Sequence, residues 1–375
     1  MSFSRLTSIA SKVTERLSRA DIVYYLMPVL MVLLVAGTVA QAEIGLYAAH
    51  QKFFASFIFF AGPIPLPGGY LLLLILGLNL TLKFLFYSEW RWNKAGIIIT
   101  HLGALVLLLG GLLTALYAKE GYMVIAEGDD SPYIYDYHAR ELLIFENDQL
   151  KYRVHADDLR ANLERGIALP LGIEVQNFCE NCEIKKRADF EQSFAADHEL
   201  RSFAAFMALT PKPVDKQPEA NLSGFSFTLS GMEGDQNGLY IAFEAMPKPV
   251  LLEKDGHEYK LIYGKQQRLL PFSLRLLDFK RENYPGMMMA RAYSSSVEVL
   301  DGAVNWHALI EMNAPLRYKG YTFYQSSFDQ SGETETTVLT VVENKGRIFP
   351  YIGTFIVALG LLLHIVIIFR RDRRV

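Results

Sequence analysis

Two histidines, a pair of cysteines and a run of methionines are the residues of this 375-residue chain whose type and spacing could do chemistry. His101 stands in GIIITHLGALVLLLGGLLTALYA, from Gly96 to Ala118, where no other titratable side chain occurs before Tyr117. His364 stands in a second apolar run near the end of the chain. An imidazole in hydrocarbon is costly unless something binds it. Neutral imidazole is a common axial ligand of haem iron, and ligation removes that cost. A hydrogen bond to a neighbouring helix would do the same without a cofactor.

Cys179 and Cys182 form CENCE. Covalent attachment of c-type haem needs a histidine directly after the second cysteine, and Glu183 stands there. A thiol poised for exchange wants cationic neighbours, whereas Glu180 and Glu183 oppose thiolate formation. Outside the cytoplasm such a pair tends to oxidise, so a local structural disulfide or an idle pair is favoured over a redox centre. Met287, Met288 and Met289 project in different directions, which suits flexible packing or a partner surface better than a metal site. His50, His138, His155, His198, His257 and His307 show no ligand spacing, and no metal beyond haem iron is expected.

The elements that must position these residues are read from hydropathy. The chain is 51% hydrophobic and carries a net charge of −3. A nucleic-acid binder would show a basic face interleaved with aromatics, and none is present. Crossing a bilayer takes about 20 apolar residues, and four runs qualify: Ile22–Ala40, Gly69–Tyr87, Ala95–Ala118 and Phe349–Phe369. The first is too long for the apolar core of a signal peptide. FFASFIFFAG (Phe53–Gly62), ending in PIPLPGG, is too short to span and is expected at the interface or as a re-entrant segment within the loop 41–68.

Basic residues set the orientation. Arg5, Lys12, Arg16 and Arg19 precede the first run, Arg91 and Lys94 lie between the second and third, and Arg370, Arg371, Arg373 and Arg374 follow the fourth. All fall on one side if segments 1–21 and 370–375 are both cytoplasmic. His101 and His364 then lie at one depth, each about 9 Å from the cytoplasmic end of its span at 1.5 Å per residue. A bis-histidine haem site within the chain is one reading of that coincidence.

Residues 119–348 would then form an extracytoplasmic domain. Its texture is β: YRVHADDL, GIEVQNF, GFSFTLSG, LYIAFEA, PFSLRLLDF, SSVEVL, TFYQSSF and TTVLTVV are short, alternating and rich in aromatic or β-branched residues. DHELRSFAAFMAL (Asp197–Leu209) is the expected helix, and TPKPVDKQPEAN the exposed connector after it. In PLRYKGYTFYQSSF, Tyr321 and Phe323 fall on one face and Tyr318, Thr322, Tyr324 and Phe328 on the other, so the strand is expected to be both core and contact surface. The fold class is therefore a helical bundle of four transmembrane helices carrying a large β-rich domain.

Several motifs resemble the ResB family of cytochrome c biogenesis proteins, the smaller membrane component of System II. They are GTVAQAEIGLY, WNKAGIIITHLGALVLLLGG, GYMVIAEGD, LPFSLRLLDFKRENYPG and NAPLRYKGYTFYQSSFD, the last the most specific; the stretch from about Asn147 to Leu222 carries no recognisable match. The resemblance implies a multi-pass protein of the bacterial cytoplasmic (inner) membrane with its large domain on the periplasmic side. It implies haem delivery and attachment to apocytochrome c together with a ResC (CcsA)-like membrane partner. That partner carries a tryptophan-rich haem-handling segment. This chain has only Trp90, Trp92 and Trp306, and EWRWNK reads as an interfacial anchor.

His101 matches the family's haem-associated histidine early in the third span. The partner would supply the second axial ligand to a b-type haem held transiently or substoichiometrically, leaving His364 packed between helices. The chain would be an accessory subunit of a cytochrome c synthase and not an enzyme alone. A bis-histidine membrane cytochrome using His101 and His364, or a cofactor-free membrane-anchored β-domain scaffold, are the alternatives.

Overall fold

The computed structural model describes residues 12–187, 199–232, 234–302, 304–329 and 334–372. The chain divides into two compact units: Met1–Lys119 with Lys319–Tyr321 and Val342–Val375, and Glu120–Tyr318 with Thr322–Val341.

In the first unit, four helices among the described residues are long and apolar enough to cross a membrane. They are α1 (Ala20–Ile44), α2 (Gly69–Phe86), α3 (Ala95–Tyr117) and, after the second unit, α5 (Phe349–Asp372). Asn79, a buried polar side chain within α2, is satisfied by donating to the carbonyls of Leu17 and Arg19 at 2.6 and 2.9 Å. Between α1 and α2 the segment FIFFAGPIPLP forms a small hairpin, β1 (Ile58–Ala61) and β2 (Ile64–Pro67). Pro65 and Pro67 pair with Phe60 and Ile58. Proline has no N–H to give, so both positions are non-hydrogen-bonded pairs and the free edge of β2 presents no donor there.

The tightest packing joins α3 to α5. Gly96, Gly103 and Gly110 recur every seventh residue on α3, and Gly346, Gly353 and Gly360 do so on or just before α5. The two series interlock antiparallel. A Cβ built on Gly103 would stand 2.7 Å from the Val357 nitrogen and 2.9 Å from the Gly353 carbonyl oxygen. One on Gly360 would stand 2.6 Å from the Thr100 nitrogen and 2.9 Å from the Gly96 oxygen. With only hydrogens between the backbones, the helices reach van der Waals and Cα–H···O contact, which drives association in a membrane where apolar side chains gain little from meeting. At the far end of the seam Asn344 accepts from Thr114 Oγ1 at 3.2 Å and from Gly346 N at 2.7 Å, capping the turn that enters α5.

The second unit is built on a ten-stranded sheet. Its strands are β3 (Lys119–Ala126), β4 (Asp130–Glu146), β5 (Gln149–His155), β11 (Val250–Lys254), β12 (His257–Asn283), β13 (Ala290–Asp301), β14 (Val304–Glu311), β15 (Leu316–Tyr318), β16 (Tyr321–Asp329) and β17 (Thr336–Glu343). They run in the order β14-β13-β12-β4-β3-β17-β16-β15, with β5 on β4 and β11 on β12. Register shifts between Lys265 and Gln267 and between Leu269 and Leu274 bend the long β12 against β4. A smaller sheet, β10 (Gly238–Phe243), β9 (Gly224–Leu229) and β6 (Ile173–Cys179), contributes Phe225, Phe227 and Tyr240 to a core shared with Leu142, Ile144 and Leu261. β7 (Cys182–Lys186) and β8 (Met207–Pro211) form a separate pair.

Two local expectations fail. The stretch read as a helix, Asp197–Leu209, holds one 3-10 turn at Ser202–Ala205 and then enters β8, and Asp197 and His198 lie outside the described residues. The Arg201 nitrogen donates to Leu239 O and the Leu239 nitrogen to Glu199 O, so pairing with β10 overrides helix propensity. The α-helix of this unit among the described residues is α4 (Ala156–Arg165), which interrupts YRVHADDL. Its signals are Asp158 accepting from the His155 nitrogen and Gly166 closing the helix at φ 67°. In β16 the two-faced reading holds only in part, since Thr322 and Phe323 are both buried and Tyr324 is 39% exposed. Gln325 is a core clamp there: it accepts from Ser295 Oγ at 2.6 Å and donates to Thr337 Oγ1 at 2.9 Å.

The seam makes a prediction with opposite signs at neighbouring glycines. Gly103→Ala drives a methyl into the backbone of α5 and should destabilise the protein by about 1–3 kcal/mol. Gly111→Ala meets nothing within 4 Å and gains helix propensity of about 1 kcal/mol. Heat-unfolding midpoints in detergent should fall for the first and hold or rise for the second; equal effects would contradict the seam.

Candidate functional site

The glycine seam decides where each intramembrane histidine points. At about 100° per residue, His101 lies roughly 140–160° around α3 from Gly96 and Gly103. Its ring therefore leaves the flank of α3 opposite α5. Ile97, Ala104 and Leu105, one turn to either side of it, give that flank an apolar surface, with Ile97 38% exposed. No hydrogen bond holds the His101 ring among the described residues, and Lys83 of α2 is the charged group whose field reaches it.

His364 is placed differently. A Cβ on Gly96 would stand 2.5–2.6 Å from the His364 nitrogen, Cα and Cβ, so this residue is part of the seam. Its Nδ1 is buried with no hydrogen-bond partner. The contacts of Gly96 set His364 level with the start of α3, five residues or about 7.5 Å short of His101. The common depth expected from the sequence therefore fails, and the two residues lie on different sides of α3. The touching backbones leave no space for a macrocycle between them.

Were a haem to bind here, these residues would offer one axial ligand. His101 meets the requirement: an imidazole free of competing hydrogen bonds, on an apolar and partly open flank. His364 does not meet it as the second ligand of the same iron.

The remaining candidates are scattered. Cys179 and Cys182 are joined in a buried disulfide between β6 and β7, packed on Phe243, Ile184, Leu209 and Met246. The flanking glutamates are paired outward, Glu180 with Arg160 and Glu183 with Lys185. Met287, Met288 and Met289 are all exposed in the turn between β12 and β13. His257 Nδ1 contacts Asn147 Nδ2 at 3.0 Å, and His307 lies 4.0 Å from Glu298. No group of three or more His, Cys, Asp or Glu that could hold a metal occurs among the described residues.

Sequence reasoning missed a group of buried charges in the second unit. Arg140, Glu244 and Lys265 have side chains only 10%, 9% and 12% exposed. Glu141 is buried beside them and held by Arg153 at 2.9 Å and the Gln267 nitrogen at 3.0 Å. Each sits in or beside a strand whose alternation could be read, but alternation does not say which face is covered.

Two comparisons bear on identity. A model of the ResB-like family matches residues 89–201 and 252–350. The match takes in α3 with His101 and reaches well past Asn147, into the stretch without a recognisable motif. Protein NrfI of Wolinella succinogenes is 37% identical over 110 residues, which are 29% of this chain and 12% of that much longer relative. With more than half of its length matched, this chain belongs to the ResB-like family and, with it, to the membrane proteins of cytochrome c maturation.

Proposed function

We propose that this chain is the haem-receiving subunit of a System II machine, delivering haem across the membrane for attachment to apocytochrome c with a ResC (CcsA)-like partner. The observation that carries the reading is the placement of His101: an unbonded, half-buried imidazole on an apolar flank away from α5, while His364 is locked into the α3–α5 seam. A single half-buried ligand calls for a second from another protein. The share of NrfI covered by this chain is small, so the activity of the assembled machine rests on this reading and not on that relative.

In the proposed topology both termini face the cytoplasm and the β-rich unit faces the periplasm. His101 would hold the haem iron, and Ile97, Ala104 and Leu105 would keep water from the imidazole. Bound haem supplies the vinyl groups to which apocytochrome thiols add. The Cys179–Cys182 disulfide is buried and takes no part. A stand-alone bis-histidine cytochrome is disfavoured by the same placement that separates the two rings.

Topology is checked with reporter fusions. A periplasm-active reporter after Ala118 should be active and one after Arg374 inactive; the reverse pattern would overturn the orientation.

The ligand is checked by cavity rescue. His101→Gly should lower both c-type cytochrome assembly in cells and the haem absorbance of the purified complex, and millimolar imidazole should restore part of each. His364→Ala, which trims a side chain whose Nδ1 has no partner, should keep near-normal haem. Normal haem in His101→Gly, or equal loss and rescue in both variants, would contradict the single-ligand site.

A further inference from the structure

Lys265 of β12 and Arg140 of β4 are direct cross-strand partners. Like charges so placed repel, and here both are nearly buried. One carboxylate, Glu244, lies between them. Arg140 takes the larger part of it: Nε donates to Oε2 at 3.2 Å, and the two NH₂ groups donate to the carbonyls of Tyr137, His138, Pro218 and Asn221. The guanidinium is therefore saturated.

Lys265 is not. Its Nζ is 3.8 Å from Glu244 Oε1, outside hydrogen-bond range, and among the described residues its one acceptor is the Glu219 carbonyl at 3.3 Å. The ammonium also lies 4.9 Å from the centre of the Tyr122 ring. An ammonium carries three donors, so two have no protein acceptor. Burial pushes its pKa down, and the charge of Glu244 opposes this without overcoming it. Glu141 gives no relief, because Arg153 and the Gln267 nitrogen already hold it.

Lys265, Glu244, Glu141 and Tyr122 line a cavity of about 270 Å³ with Tyr135 and Leu143. Tyr122 and Tyr135 stack, with ring centres 5.6 Å apart, and form an aromatic wall. Burial, then the charge of Glu244, pushes the Tyr122 phenol up to about 12, which keeps it a neutral donor. Of the carboxylates whose charge reaches Lys265, Glu244 is shared with Arg140 and Glu219 offers its main-chain carbonyl, so the ammonium keeps donors to be matched. Glu141 and Glu244 in the lining would repel a dianion such as phosphate more strongly than a monoanion.

We propose that this cavity binds an aromatic monocarboxylate, its carboxylate on Lys265 Nζ and its ring against Tyr122 and Tyr135. The site lies wholly within the β-rich unit and stands whether or not His101 ligates haem.

The test uses the full chain in detergent with 2-naphthoate as probe, titrated calorimetrically against an empty-micelle control. Saturable 1:1 binding is expected, with a Kd of about 1 mM or tighter. Lys265→Met should weaken it about tenfold or more, the scale of a hydrogen bond to a charged group, while Lys265→Arg keeps it within a few-fold. The neutral isostere 2-naphthylmethanol should bind the unaltered protein at least about tenfold more weakly than the acid. Failure of naphthoate to bind, or equal binding of the acid and the alcohol, would overturn the proposal. The acid–alcohol comparison needs no variant and so stands even if Lys265→Met does not fold.

Discussion

The interlocked glycines of α3 and α5 are the constraint on which the rest of the first unit depends. Water drives helices together in solution, but lipid tails are as apolar as leucine, so a membrane pair must draw its stability from close packing. Here two series of glycines, seven residues apart on each helix, let main chain meet main chain. A heptad repeat keeps one stripe of each helix facing its partner over several turns. The same seam governs the chain path: α3 continues into β3, β17 leads into α5, and β3 and β17 are neighbours in the sheet. The β-rich unit thus begins and ends in neighbouring strands.

The seam also sorts the histidines. Composition makes His101 and His364 equivalent, two imidazoles at one depth in two apolar runs. Packing makes them opposites. His364 is in line with Gly360 and Val357 and is held against Gly96; His101, five residues beyond Gly96, is turned to the far flank. A half-buried residue turned away from α5 meets the α2 side of the bundle, lipid or another protein. For a group as polar as imidazole, lipid is the costly choice.

The membrane spans were legible because hydrocarbon thickness demands long uninterrupted apolar runs, and all four fell where such runs lie. The strands were legible because GFSFTLSG or TTVLTVV alternate with period two. The seam was not read, although its heptad glycines are plain in the text, because hydropathy gives glycine almost no weight and its meaning lies in what touches it. The helix at Ala156–Arg165 carried its own punctuation, acidic residues in the first turn and Gly166 after the last, but lay fused to a strand in one alternating stretch. The helix expected near Ser202 was local propensity overruled by pairing with β10. Arg140, Glu244 and Lys265 could not be read at all, because a charge in a strand looks solvated until the covering element is known.

In the proposed arrangement this chain gives haem iron one axial imidazole and no more. Hyperfine spectroscopy on the complex with a ResC-like partner tests it most directly, with ¹⁵N-histidine incorporated into this chain alone before reconstitution. One ¹⁵N-coupled and one ¹⁴N-coupled axial nitrogen is the expected spectrum. Two ¹⁵N-coupled axial nitrogens would place both ligands in this chain, and none would leave His101 without a haem to hold.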